Sequence, residues 1–224
     1  MNLAEEAFKE LFPTKEINRK LSVSYSGKFK TYNANVRYTQ AKMDFSLARE
    51  WSEISEEIQK GLIQSLLLKV YKNKTPDGKQ IRTLALDLYD SFIKQIPKYS
   101  KVTKIDPTIK ESFDRMNKMY FNGFLDTPNL VWGRESFAKL GTYEYTSDTI
   151  TISKVLVGEG MLLDFVVYHE MLHKALNYKS KNGRNYHHTP EFRRREKLFY
   201  ESDAEKKLTY FLRKKRLRKA FRFF

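Results

Sequence analysis

Four histidines occur in this chain of 224 residues, and all four fall between Asp164 and Phe192, in DFVVYHEMLHKALNYKSKNGRNYHHTPEF. His169, Glu170 and His173 stand as H-E-x-x-H. Positions four apart share one helix face, with Cβ atoms roughly 5–6 Å apart, so two imidazoles at that spacing can hold one zinc ion from the same side. Glu170 then lies beside the metal without ligating it, where it can take a proton from a water. A catalytic zinc usually takes three protein ligands and keeps one position for water. The chain after Tyr178 turns polar and glycine-containing over Lys179 to Asn185, then returns through Tyr186, His187 and His188. Thr189, Pro190 and Glu191 read as the N-cap, first-turn proline and first-turn acid of a second helix. Such a loop brings an imidazole back over the first helix, and His188, fifteen residues past His173, is the expected third ligand. His187 competes for that place, and a carboxylate-ligand site would use Glu191 or Glu196 instead. A metzincin pattern wants glycine at 176 and histidine at 179; Leu176 and Lys179 exclude it.

The elements that must position these residues can be read in order. Leu3, Ala7, Phe8, Leu11 and Phe12 mark a short amphipathic helix stopped by Pro13. Period-two segments follow at Leu21-Val23-Tyr25, Ala34-Val36-Tyr38 and Met43-Phe45-Leu47, which predict a small antiparallel β-meander. Trp51, Ile54, Ile58, Leu62 and Leu66 keep helical spacing as far as Tyr71, Thr75 to Gly78 is a turn, and Ile81 to Ile96 reads as a further helix. The polar stretch Lys98 to Pro107 is the expected boundary, giving residues 1–100 as one region and 101–224 as the other. Beyond it, Ile109, Phe113, Met116 and Tyr120 share a helix face that ends at Asn122-Gly123. Strands near 129–133, 142–146 and 149–153 lead into the apolar run Met161 to Tyr168 and the H-E-x-x-H helix. Thr142 to Thr146 or Thr149 to Ser153 is expected as an edge strand on which an extended peptide can pair. Tyr143 and Tyr145 are read as packing residues. The class expected is α+β.

Composition limits the chemistry. With no cysteine there is neither disulfide nor thiolate ligand, which leaves imidazole and carboxylate to hold a metal. The N-terminal residues carry no apolar core of signal-peptide length and no run approaches eighteen apolar residues, so an intracellular, cytoplasmic protein without a membrane partner is expected. Forty-two Lys and Arg against twenty-seven Asp and Glu leave a net charge of +15, which favours a polyanionic partner. Arg193, Arg194 and Arg195 follow the histidines directly. Seven of the last twelve residues are basic (Arg213, Lys214, Lys215, Arg216, Arg218, Lys219 and Arg222), interleaved with aromatic and aliphatic ones. That pattern suits phosphate contacts with base stacking, and DNA is the expected partner. The same residues, Leu217 and Phe221 among them, also suit a terminal helix packed on the body.

H-E-M-x-H followed after a loop by H-x-P-E-F resembles the SprT-like (Spartan) zinc metalloproteases. Their second motif is usually His-Gly-Pro-Glu-Phe, and Thr189 replaces its glycine here. Tyr120 to Leu125, Leu130-Val131-Trp132, Leu140-Gly141 and Thr149 to Ser153 are similar to further family segments, so the resemblance covers residues 105 to 200. It implies a zincin-like core, zinc on His169, His173 and His188, and Glu170 as general acid and base. It also separates His188 from His187, by motif alignment alone. The absence of cysteine rules out the zinc ribbon that many relatives carry. The expected activity is hydrolysis of peptide bonds in proteins bound or crosslinked to DNA, with Tyr178 or Tyr186 as donor to the oxyanion. Two other readings stand beside it: a nucleic-acid-binding protein with a structural zinc, and a general peptidase whose charge is incidental.

Overall fold

The computed structural model describes residues 1–29, 32–71, 81–181 and 184–220, so the turn expected at Thr75 to Gly78 lies outside the described residues. The chain divides into two compact units, Met1–Pro97 with Lys179–Tyr186, and Lys98–Tyr178 with His187–Phe224. The mixed α+β class expected from the sequence is the class found.

In the first unit, helix α1 (Leu3–Leu11) is started by Asn2, whose side chain accepts from the Ala4 and Glu5 N–H groups while Glu5 returns the bond. It buries Ala4, Ala7, Phe8 and Leu11, one stripe at helical spacing. Strands β1 (Lys20–Ser26), β2 (Ala34–Tyr38) and β3 (Lys42–Ala48) form the sheet, but in the order β1-β3-β2. The expected meander is thereby corrected: β1 runs parallel to β3, Leu21 opposite Met43 and Val23 opposite Phe45, and only β2 and β3 are antiparallel. β3 takes the centre because Met43, Phe45 and Leu47 are all fully buried, whereas Tyr25 and Tyr38 on the flanking strands are exposed. A central strand loses most water, so the most apolar alternation belongs there. The helix read from Trp51 to Tyr71 is broken into a 3-10 turn at Arg49–Glu53 and helix α2 (Glu56–Tyr71). Helix α3 (Leu84–Gln95) starts late in its predicted span because Thr83 caps it, accepting from the Leu86 N–H. α2 and α3 touch at Gly61, where an added Cβ would lie 2.0 Å from the Ala85 carbonyl oxygen.

The second unit carries the histidines. Helix α4 (Pro107–Tyr120), capped by Asp106, buries Ile109, Phe113 and Met116. Strands β4 (Asn129–Gly133), β5 (Gly141–Glu144) and β6 (Thr149–Ser153) make a sheet ordered β4-β6-β5. β6 is central, with Ile150 and Ile152 fully buried, so of the two edge-strand candidates only the first lies at an edge, as β5. Helix α5 (Gly160–Leu176) is buried from Leu162 to Tyr168 and again from Glu170 to His173. A helix apolar on all sides belongs in a core, and this one packs with α4 and the sheet in one cluster. Asp164 is buried within it, accepting from Ser112 Oγ at 2.5 Å and Arg115 Nη2 at 2.7 Å. The hairpin β7 (Lys179–Lys181) and β8 (Arg184–Tyr186) groups with the first unit. Helices α6 (Pro190–Glu196) and α7 (Ala204–Ala220) close the second. Among the described residues no helix is long and apolar enough to cross a membrane.

Candidate metal centre

Spacing on α5 puts His169 and His173 side by side, their Nε2 atoms 3.3 Å apart and their ring centroids 5.0 Å apart. His188 comes from the chain just before α6. Thr189 is the N-cap of that helix, its Oγ1 accepting from the Phe192 N–H at 3.2 Å, with Pro190 in the first turn. The threonine that departs from the family pattern therefore does a helix-starting job. With the cap fixed, His188 Nε2 lies 3.2 Å from His169 Nε2, and ligand atoms of all three histidines lie within 4.8 Å of one another. Phe192, fully buried, forms the floor under the cluster, its ring centroid 5.0, 4.6 and 4.8 Å from those of His169, His173 and His188.

His187 is not among the converging nitrogens; its ring lies 5.6 Å from Tyr178, 5.8 Å from His173 and 6.2 Å from Tyr145. Glu191 accepts from Arg194 at 2.6 Å and Arg195 at 2.7 Å, facing its own helix. Glu196 meets His169 on the other ring nitrogen, Oε1 to Nδ1 at 2.5 Å. Neither acid joins the three converging nitrogens.

Electrostatics set the protonation of these groups. Burial, then the neighbouring His169, His188 and His187, push His173 down to about 3, so its ring is neutral and free to donate a lone pair. Burial lowers His188 and His187 as well. For His169 burial also opposes the charge, but the Glu196 bond and the Glu170 and Glu196 charges outweigh it and raise the pKa. Glu170 is only 4% exposed, and burial pushes its carboxyl up to about 7 against the pull of His169, Lys139 and the Tyr143 main-chain N–H. Its carboxylate occupies the space a side chain would need at Gly141, where a Cβ would lie 2.5 Å from Oε1.

Around this centre the structure gives specific polar roles to residues read from the sequence only as packing residues or as an alternative ligand. Tyr145 donates its hydroxyl to the His173 carbonyl at 2.9 Å and stands edge-on to Tyr178, so it buttresses the end of α5. Tyr143 donates to Asp148 at 2.7 Å, and Lys174 meets the same carboxylate at 2.6 and 2.7 Å, tying β5 to α5. The Glu196 signal was present in the sequence, because His188, Phe192 and Glu196 recur every four residues. Of the two tyrosines expected near an oxyanion, Tyr178 is buried and Tyr186 is 49% exposed in the β7–β8 hairpin.

The basic C-terminal stretch is helix α7 as far as Ala220, and Arg222 lies outside the described residues. Lys215 donates to the Val155 carbonyl at 3.1 Å and pairs with Glu159. Arg216 donates to the Phe137 carbonyl at 2.7 Å, and Lys219 pairs with Glu135 at 2.7 Å. Arg213, Lys214 and Arg218 are exposed. One face of the helix is thus turned onto the body and the other to solvent.

A buried H-E-x-x-H helix against a mixed sheet, with a third imidazole delivered by the start of the next helix, is an arrangement that can hold one metal ion beside a buried carboxylate. Residues 109–208 match the SprT-like family. Among solved structures, the metallopeptidase zymogen of Methanocaldococcus jannaschii jannalysin aligns at 14% identity, covering 48% of this chain and 95% of its own, with a TM-score of 0.37. No curated protein matches the chain.

Proposed function

We propose that this protein is a zinc-dependent endopeptidase that hydrolyses peptide bonds in proteins held on DNA. The observation that carries the reading is the convergence of His169, His173 and His188 within 4.8 Å beside a buried glutamate. The donor set fits zinc: three converging imidazoles, burial lowering the pKa of His173 and His188, with no thiolate in the chain. Bound there, zinc would acidify a water and polarise the scissile carbonyl. Glu170, with a carboxyl poised near neutrality, accepts a proton from the attacking water and returns it to the leaving amine. Its placement against Gly141 keeps it next to β5, whose outer edge can pair with an extended substrate.

The net charge of +15 and the exposed Arg213, Lys214 and Arg218 support DNA as the surface that recruits substrate. The docking of Lys215, Arg216 and Lys219 supports the rival reading, a general peptidase with a structural basic helix. The test is cleavage of a DNA-binding protein and of unstructured casein, each with and without single-stranded DNA. The proposal expects zinc-dependent cleavage that DNA accelerates for the DNA-bound substrate. Equal rates with and without DNA would leave the peptidase and remove the nucleic-acid role, and no cleavage of either substrate would remove both.

A further inference from the structure

Glu196 ends α6 with its side chain 27% exposed, as is that of His169, and the two meet at 2.5 Å. An imidazole offers two nitrogens, and the partner of one decides which way the lone pair of the other points. With Nδ1–H donated to Glu196, His169 presents an Nε2 lone pair, and this is the atom 3.3 Å from His173 Nε2 and 3.2 Å from His188 Nε2. The end of α6 is itself held, because Tyr168 donates its hydroxyl to the Arg195 carbonyl at 2.6 Å. Phe192, one turn earlier, packs on all three imidazoles. One short helix therefore acts at both ends: its first turn fixes His188, and its last residue fixes His169. His173 differs, since its Nδ1 is buried with no hydrogen-bond partner among the described residues. Glu191 cannot substitute for Glu196, being turned to Arg194 and Arg195.

We propose that Glu196 is a positioning residue, whose bond to Nδ1 fixes the tautomer and orientation of His169 and so sets the affinity of the centre for zinc. The inference rests on the metallopeptidase reading above. Losing such an outer partner typically costs about 10–100-fold in metal affinity.

The test uses the full chain stripped of metal, with zinc affinity read by competition against a chromophoric chelator and the metal-free melting temperature read beside it. Glu196→Ala should bind zinc about 10–100-fold more weakly. Glu196→Gln, whose amide oxygen still accepts from Nδ1, should lose less than Glu196→Ala, and Glu191→Gln on the same helix should bind as wild type. Both position-196 variants should melt with the wild type in the metal-free state. Wild-type affinity in a folded Glu196→Ala or Glu196→Gln would overturn the inference while leaving the centre intact. A loss that follows the metal-free melting temperature in both variants would also overturn it, by reducing Glu196 to a structural contact. If Glu196→Ala does not fold, the isosteric Glu196→Gln carries the test. A wild type that binds no zinc overturns the metallopeptidase reading and this inference together.

Discussion

Replacing Glu170 by glutamine should make the metal-free protein more stable at pH 8 while abolishing its activity. The carboxyl is 4% exposed, and burial raises its pKa from 4.5 to about 7. Between those values the folded chain keeps a proton that the unfolded chain has released. The folded state thus binds more protons, and stability falls as pH rises through the window. Below pH 4.5 the penalty is absent, and above pH 7 it is fully present. A shift of 7 − 4.5 = 2.5 corresponds to about 3 kcal/mol. Glutamine fills nearly the same volume and never ionises. The gap between variant and wild type should therefore widen by about 3 kcal/mol from pH 4.5 to pH 8. Urea denaturation of chelator-treated protein across that range measures it, and metal must be absent because a cation would favour the charged carboxylate. A gap that stays constant with pH, or that closes as pH rises, would refute the argument that Glu170 is a buried base kept at a cost to stability.

Gly141→Ala puts a methyl group 2.5 Å from Glu170 Oε1. The side chain can swing away, so fold and zinc content should survive while turnover falls at least 10-fold; normal turnover would show that the carboxylate does not work from this position. Gly61→Ala is a different kind of clash, backbone at 2.0 Å, and should destabilise the first unit by about 3 kcal/mol or more. An unchanged unfolding midpoint would contradict the α2–α3 crossing. The two faces of α7 should separate: neutralising Arg213, Lys214 and Arg218 should reduce the slope of log K against log salt for DNA binding by roughly three, about one per lost phosphate contact. Neutralising Lys215, Arg216 and Lys219 should lower the melting temperature instead, and identical effects from both sets would refute the division.

Legibility from sequence followed how local each feature is. The pair His169 and His173 needs only helical periodicity, and the start of α6 needs only the cap chemistry of Thr189 and Pro190. Both were readable residue by residue. Strand order was not, because alternation in Leu21, Val36 and Phe45 identifies strands without naming their neighbours. The parallel pairing of β1 with β3 is a long-range outcome of which strand buries most. Glu196 illustrates a subtler limit. From sequence it stood beside Glu191 as an alternative carboxylate ligand, and only the geometry shows it meeting His169 Nδ1 instead. The basic C-terminal stretch was visible as charge, but charge does not reveal that Lys215, Arg216 and Lys219 face carbonyls and carboxylates of the body. Gly141 carried a signal no propensity rule reports, since what fills its missing side chain is Glu170, twenty-nine residues further along the chain.

The central claim is most directly tested by loading wild type and Glu170→Gln with zinc side by side and measuring metal content and peptide cleavage on the same preparations. Both should carry about one zinc per chain, because Glu170 is not among the three converging donors. Only the wild type should cleave. Undiminished cleavage by zinc-loaded Glu170→Gln, or a wild type that holds no zinc at micromolar concentration, would contradict the account.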